Sequence, residues 1–535
     1  MTQFKSTLMA GTALVCQFGI VNAEQSDVPL HNTPTRLYSF ETANVNPGGT
    51  LQLSVGTSQA NTSSTTGTGN QTYFGGGSYS VNDQLSFGLD LQNYVDPVAS
   101  PINGLLPEVK MTTLAFSGKY QFFSNDKMSF AVQGSVESFV TLESPLFGGK
   151  NSNVIIGSLK APATFNAAPG LQFHLTPSVS FLPDTLNGTQ FYGTIASLGG
   201  GVSYKPSDRL SFYGSVDMPF SGSNTISSTG TYEKKPVWVV GGRYNVTPKV
   251  ALDAYVTNGI GITPATSVLT MWPEGDSVLA GVQLVYTPGA KRPESYRGVP
   301  MPVTSYQASL QQDGFTMGSA DVVEPGRLRV GGWYGSDSSG GVLFGLSPDR
   351  DVEVQFIVED YSNNPTVPAA LIPRNDARYM IGGKLRFMDQ NNGNPFSMAA
   401  RALYGRSTSS NNQIGVFFLE GMASYKTQNQ LTLTANPKIA AFGSTELAGL
   451  GLGLNYEVTD GLELIAEATP VWVDGTDATW AAGLRYNVGQ SGFSVDAMAT
   501  NAIGRYGLGT MVAQDDVRVS VMLSKTFDLR GIAGR

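Results

Sequence analysis

Polar and apolar residues alternate with period two along most of the chain. In residues 128–139, MSFAVQGSVESF, Met128, Phe130, Val132, Gly134 and Val136 fall on one face, and Ser129, Ala131, Gln133, Ser135 and Glu137 fall on the other. That is a strand with one apolar and one polar side. LSFYGSVDMPF sets Leu210, Phe212, Val216, Met218 and Phe220 against Ser211, Tyr213, Ser215 and Asp217, and VEVQFIVED sets Val352, Val354, Phe356 and Val358 against Glu353, Gln355 and Glu359. About twenty-four such segments can be marked between Thr50 and Phe527, so the reading is all-β and antiparallel.

The connections separate a soluble sandwich from a transmembrane barrel. Short ones at VNDQ, SNDK, AAPG, KPSD and VTPK alternate with longer ones at 59–70, 96–112, 140–152, 221–234 and 260–277. Tight turns at one end and long loops at the other is the arrangement of a barrel that crosses a membrane with its strands. Four of the turns share a grammar: YSVNDQL at 79–85, YKPSDRL at 204–210, YNVTPKV at 244–250 and YEVTDGL at 456–462. Tyr204 and Leu210 have the same parity and should both face lipid, which calls for an odd turn of three or five residues rather than a two-residue one. Trp238 and Tyr244 lie six residues apart on the lipid-facing parity of one strand, and Trp480 and Tyr486 repeat the spacing. These four are the expected aromatic girdle at the edges of the apolar band.

The girdle residues belong to a longer repeat. WVVGGRYNV at 238–246 matches WAAGLRYNV at 480–488, and TNGIG at 257–261 matches TNAIG at 500–504. The chain reads as a tandem duplication of a unit of about twelve strands, an even number that returns it to its starting side. Two tandem barrels are expected, at 47–288 and 324–527. A periplasmic lead-in at 24–46, a Pro-rich linker at 289–323 and a tail at 528–535 complete the chain. One barrel of about twenty-four strands is the alternative.

Composition supports this picture and narrows it. Of 535 residues only 14% are charged, and 63 are Gly, which suits many strands joined by turns. Residues 1–23 carry Lys5, an apolar stretch and Val21-Asn22-Ala23, the pattern of an export signal. The single cysteine, Cys16, falls within it, so the exported chain is expected to have neither a disulfide framework nor a thiolate metal site. No later apolar run is long enough to span a bilayer as a helix.

In the signal, the PGGTLQLSVG-style first strand, the Tyr-x-x-[ST]-Asp-x-Leu hairpins and the closing VSVMLSKTF ending at Phe527, the chain resembles bacterial outer-membrane β-barrel proteins of the porin or transporter kind. It departs from them in the residues Asp528 to Arg535 that follow the last strand. The resemblance implies an outer-membrane location, lipid around the barrel and passive passage of small hydrophilic solutes or ions. The other expectation is a closed structural or surface-interaction barrel.

Function would then sit on the polar face, which lines the lumen. By parity the candidates are Asp90, Lys119, Glu137, Asp217, Arg243, Asp253, Arg329, Glu353, Glu359, Lys384, Arg386, Arg401, Glu463, Glu467, Arg485 and Asp496. Lumenal charges of both signs can select ions; equally, they can pair with one another. Arg243 and Arg485 stand out because both copies of the repeat keep them, each with a carboxylate, Asp253 or Asp496, on the next strand. Enzymatic chemistry is not expected: His31 precedes the first strand, and His174 stands alone on its polar face, with Ser178 and Ser180 the nearest hydroxyls by parity. GGGS at 75–78 and LGGGVSY at 198–204 lie within strands and open no helix, so they are expected to relieve crowding where strands bend rather than to hold a phosphate or cofactor. A net charge of −8 without a basic run makes nucleic acid an unsuitable partner.

Overall fold

The computed structural model describes residues 34–60, 70–246, 248–288, 290, 313–361, 377–392, 394–407, 415–427, 430–442, 445–472 and 477–529. The expected export signal with Lys5 and Cys16, His31 and most of the linker lie outside the described residues.

Alternation produces two closed antiparallel barrels of twelve strands each. The first runs β1 (Leu51–Ala60), β2 (Asn70–Ser80), β3 (Leu85–Pro97), β4 (Glu108–Ser124), β5 (Met128–Ser144), β6 (Val154–Lys160 continued by Ala163–Ala168), β7 (Leu171–Phe181), β8 (Thr194–Tyr204), β9 (Leu210–Ser221), β10 (Val237–Asn245), β11 (Val250–Thr257) and β12 (Leu279–Tyr286). Leu279 pairs with Ala60 and Tyr286 with Leu53, which closes it. The second runs β13 (Arg327–Gly335), β14 (Gly340–Asp349), β15 (Val352–Asp360), β16 (Arg378–Met388), β17 (Ser397–Ser407), β18 (Gly415–Lys426), β19 (Leu431–Phe442), β20 (Thr445–Thr459), β21 (Leu462–Thr469), β22 (Thr479–Asn487), β23 (Phe493–Ala502) and β24 (Ala513–Asp528). Leu328 pairs with Phe527 and Arg327 with Asp528, so the expected last strand does close the barrel. The two-barrel reading holds and the single large barrel does not.

The apolar faces point outward. On β5, Val132 and Val136 are 47% and 66% exposed, whereas Gln133 and Glu137 between and beside them are buried in the interior. That inversion of a soluble core is what a hydrocarbon surround requires, and closure leaves no strand edge unpaired in it. Pro162 interrupts β6, having no N–H to give to the ladder. Its carbonyl still accepts from the Ala131 N–H at 3.0 Å, so the wall is continuous.

The shared turn grammar sets one register in all four places. Tyr79 pairs with Phe87, Tyr204 with Phe212, Tyr244 with Leu252 and Tyr456 with Leu464, always eight residues on. The odd-turn expectation holds at 205–209 between β8 and β9. It fails at 456–464, where only Asp460 and Gly461 separate β20 from β21. A register shift between Glu457 and Thr459 absorbs the difference: a bulged strand spends one extra residue and returns Tyr456 and Leu464 to the same face.

The repeated segments occupy equivalent strands. WVVGGRYNV lies on β10 and WAAGLRYNV on β22, the tenth strand of each barrel. TNGIG and TNAIG end the eleventh strands and open the loops to the twelfth. The lead-ins also correspond, but neither stays outside its barrel. Residues 34–50 and 313–326 each run into the lumen of the barrel they precede, which moves the end of the linker and the described part of the expected periplasmic lead-in into the barrel interiors.

The barrels lie side by side. At the short-turn end the outward residues Tyr244, Leu252, Leu284 and Tyr286 pack with Val246, Val250, Val352 and Leu385 in one apolar cluster. At the long-loop end Arg406 Nη2 meets Asp96 Oδ2 at 2.5 Å and Arg406 Nη1 donates to Val95 O at 2.8 Å. Both charged side chains are buried by this contact.

Candidate functional site: two occupied lumens

In the first barrel the lead-in forms a two-pair hairpin, Arg36 with Glu41 and Leu37 with Phe40. Its turn puts Tyr38 at φ +58°, where an L residue needs outside support. The Tyr38 ring supplies it by stacking on Tyr255 at 3.9 Å between centroids. The Phe40 ring lies over Gly199, where a Cβ would collide with it, and over Gly201, where a Cβ would stand 3.1 Å from both Phe40 and Leu37. The glycines of 198–204 therefore make room for the lead-in, rather than only easing strand crowding. Gly76 in the other glycine run likewise leaves space for Asp90 Oδ1.

The wall holds this hairpin by polar contacts. Lys119 Nζ meets Glu41 Oε2 at 2.7 Å and donates to Thr35 O at 2.8 Å. Arg36 reaches Asp90 at 3.3 Å, Thr176 donates to Glu41 O at 2.9 Å, and the Ala43 N–H donates to Thr164 Oγ1 at 3.1 Å. His174 joins the same network between Thr164 (2.9 Å) and Ser203 (3.0 Å). Ser178 bonds Ser197 instead, so neither Ser178 nor Ser180 is its partner.

From the other end the loop opened by TNGIG folds back into the barrel. Gln92 donates to Ile260 O at 2.7 Å and accepts from the Ile262 N–H at 3.0 Å. Glu137 accepts from Thr263 and from the Ala265 N–H, and Lys160 Nζ donates to Ser267 at 2.8 Å. Above these, Leu269, Met271 and Trp272 join Tyr94, Phe139 and Phe147 in an apolar cap. A cavity of about 120 Å³ remains toward the short turns. Arg36, Asp90, Lys119, Arg243 and Asp253 line it together with Ser and Gln side chains.

The second barrel repeats the plan with a different chemistry. Asp313 accepts from Arg329 at 2.8 Å and Lys384 at 2.7 Å, and Arg329 also bonds Glu353 at 2.8 Å. Glu467 accepts from the Phe315 N–H (2.8 Å), the Thr316 N–H (2.7 Å) and Thr316 Oγ1 (2.7 Å). Lys438 donates to Thr316 O at 2.9 Å. Arg401 pairs with Glu420, which also accepts from the Gly318 N–H at 3.1 Å. From above, the loop opened by TNAIG brings Arg505 onto Asp496 and the Arg505 and Tyr506 N–H groups onto Glu359, with Leu508 and Met511 completing an apolar cap.

The sequence-predicted residues are therefore brought to the interiors, but as anchors. Arg243 donates to both oxygens of Asp253, at 2.6 and 2.7 Å, and Arg485 to both of Asp496, at 2.8 and 3.2 Å. Asp217 lies on the same inward parity of β9 as the buried Ser215. Glu463 faces Arg485 at 3.7 Å and accepts from Asn487. Arg386 is placed near the short turns between Asp351 (3.0 Å) and Asp389 (3.1 Å). Of the girdle, Tyr486 and Trp480 are exposed to the surround, whereas Tyr244 packs into the seam between barrels, and Trp238 is half-buried. Sequence reasoning missed Arg36, Glu41, Asp313 and Arg505, and the wall residues Glu420 and Lys438 that hold the second lead-in. The first four lie in segments without alternation; the repeated TN-x-IG, which opens both infolded loops, was a signal for Arg505 alone. Among the described residues no group of His, Cys, Asp and Glu could hold a metal ion.

No protein-family model and no curated protein matches the chain. Solved structures similar to it include the KdgM porin, at 10% identity and a TM-score of 0.28, and the NanC porin, at 9% and 0.30. Each match covers 44% of this chain and 98% of the other. A mutant of the ferric enterobactin receptor PfeA from Pseudomonas aeruginosa matches at 9% identity and a TM-score of 0.21, over 90% of this chain and 81% of that one. Likeness this distant carries no functional argument. The strand pairing and the outward apolar faces carry the architecture by themselves. It is that of an outer-membrane type transmembrane β-barrel.

Proposed function

We propose that the protein sits in the outer membrane of a Gram-negative-type cell, surrounded by lipid, and passes small hydrophilic solutes or ions through its two lumens without energy coupling. In the state described each conduit is occluded, by its lead-in from the short-turn side and by its last long loop from the other. The observation that carries this reading is the nature of the seat. In both barrels the lead-in is held by hydrogen bonds and ion pairs to a polar wall, contacts that water can replace when the segment withdraws. The cavity beside Arg36 and Arg243 is the part of such a path that stays open.

The occlusion itself favours a second reading, a closed structural barrel. Planar-bilayer conductance separates the two. Intact protein is expected to conduct in brief steps, when lead-in and loop both withdraw, and a variant lacking residues 34–46, with only the loop left to withdraw, is expected to lengthen and multiply those steps in one lumen. Glu41→Gln, which removes the charge facing Lys119, should lengthen the open steps and serves if the deletion does not fold. Silence from all three, with heat-modifiable gel migration proving the barrels intact, would establish the closed scaffold.

A further inference from the structure

The grip of the second barrel on residues 313–321 is directed at main chain. Four N–H groups of that segment are taken by wall side chains: Phe315 and Thr316 by Glu467, Gly318 by Glu420, and Ala320 by Ser424 at 3.0 Å. Three carbonyls are taken as well: Thr316 by Lys438, Gly318 by Asn436 at 2.7 Å, and Asp321 by Lys384 at 2.9 Å. Carboxylates or a hydroxyl stand where these amides point and ammonium or amide donors where the carbonyls point, so the wall complements the backbone of a bent segment, which the Gly314 N–H closes on Met317 O at 2.9 Å.

Side chains of the segment are read as well: Thr316 Oγ1 donates to Glu467 at 2.7 Å, Met317 is buried over Gly451 and Gly453, and Asp321 Oδ2 meets Lys426 Nζ at 2.7 Å. Asp313 enters the Arg329 and Lys384 pair. The Phe315 ring packs with Ile465, Ala481 and Met498 and lies beneath the guanidinium groups of Arg485 and Arg505, at 5.8 and 5.6 Å. Glycine fits at 314, where a Cβ would displace the Glu467 carboxylate that holds the segment, and is favoured at 318, where a Cβ would stand 2.6 Å from Met422 Sδ. A plug with no purpose beyond filling the lumen could be apolar at less cost, because Glu467 and Lys438 lose their bonds to the segment once it departs and Arg329 and Lys384 are left to Glu353 alone.

We propose that the lumen of the second barrel is a binding site for a short bent peptide of the pattern acidic residue, glycine, aromatic residue, hydroxyl residue, apolar residue, glycine, and that residues 313–321 occupy it in cis as an autoinhibitory ligand. A tethered segment acts at an effective concentration of order millimolar, so a peptide in trans competes only when the cis copy is weakened. This proposal concerns binding and stands whether or not either lumen conducts.

The test uses the full-length protein in detergent and a fluorescent peptide of the sequence DGFTMGSAD, with binding read by anisotropy. Phe315→Ala weakens the cis segment and leaves the wall intact, so the peptide should bind about tenfold or more tighter than to the unaltered protein. Adding Glu467→Gln should abolish that gain, and a peptide with alanine in place of its phenylalanine should gain nothing. Asp313→Asn weakens the cis segment from its other end and gives the same reading if Phe315→Ala fails to fold. Equal peptide binding by the unaltered and weakened proteins, or full binding by the Glu467→Gln form, would overturn the proposal.

Discussion

Arg243 and Arg485 stand on the tenth strands of their barrels, each bonded to a carboxylate on the eleventh, yet their surroundings differ. Arg243 borders the open cavity of the first barrel with its side chain 25% exposed, whereas that of Arg485 is fully enclosed. The cause lies in what fills each lumen. Residues 34–50 seat by the Lys119–Glu41 and Arg36–Asp90 ion pairs, the aromatic stack of Tyr38 on Tyr255 and hydroxyl contacts, and leave space beside the wall. Residues 313–323 bring a peptide backbone under a ladder of carboxylates and cations, and Arg505 descends from the opposite end to share Asp496 with Arg485. The same strand position thus carries a wall residue that water can reach in one barrel and a buried node in the other.

Mutations at the paired positions sharpen the contrast. Arg485→Ala leaves Asp496 to Arg505 alone and strips Glu463 of its cation, and should cost on the order of 3–5 kcal/mol. Arg243→Ala should cost about 1–2 kcal/mol, because water from the cavity can solvate Asp253. Urea unfolding of both variants checks this, and equal losses would break the comparison. In a bilayer the order should reverse for conduction: Arg243→Ala is expected to shift the cation preference of the first conduit, while Arg485→Ala leaves ion preference unchanged.

The seam ranks next. Arg406→Ala leaves Asp96 buried with only the Gln71 N–H on it, at 2.8 Å, and should cost about 2–3 kcal/mol. A double-mutant cycle with Asp96→Asn should return most of that as coupling, and additive losses would show that the barrels do not lean on this pair. Tyr38→Ala removes the stack that supports the lead-in turn and should cost about 1 kcal/mol, with longer open times in the first conduit. The smallest difference is expected between Tyr244→Ala and Tyr486→Ala. The seam residue should lower the unfolding midpoint measurably, and the lipid-facing one should change stability by no more than about 0.5 kcal/mol.

Much of the fold was legible along the chain because a barrel wall is a local object. Each strand declares its two faces by parity, as Val132 and Glu137 do, and four Tyr-bearing turns set a common register. The two-residue turn at Asp460-Gly461 escaped because a bulge alters residue count without altering which side faces lipid. The lumenal set was legible by the same parity, down to the Arg243 and Asp253 pair. Its role was not, since that depends on segments that never alternate.

Alternation, the repeat and the turn spacing determined by themselves that this protein is an antiparallel barrel wall of two twelve-strand units with charged inward faces, and the pairing of Leu279 with Ala60 and of Leu328 with Phe527 decided that each unit closes on itself. In hydrocarbon, period two admits one apolar face and one polar face, and closure leaves no edge. Only the tertiary structure decided what occupies those interiors and how the barrels meet. The lead-ins, the infolded loops and the Arg406 contact join residues as many as 311 positions apart. Nothing in the local pattern of either partner records a contact that exists only when the chain brings the two together.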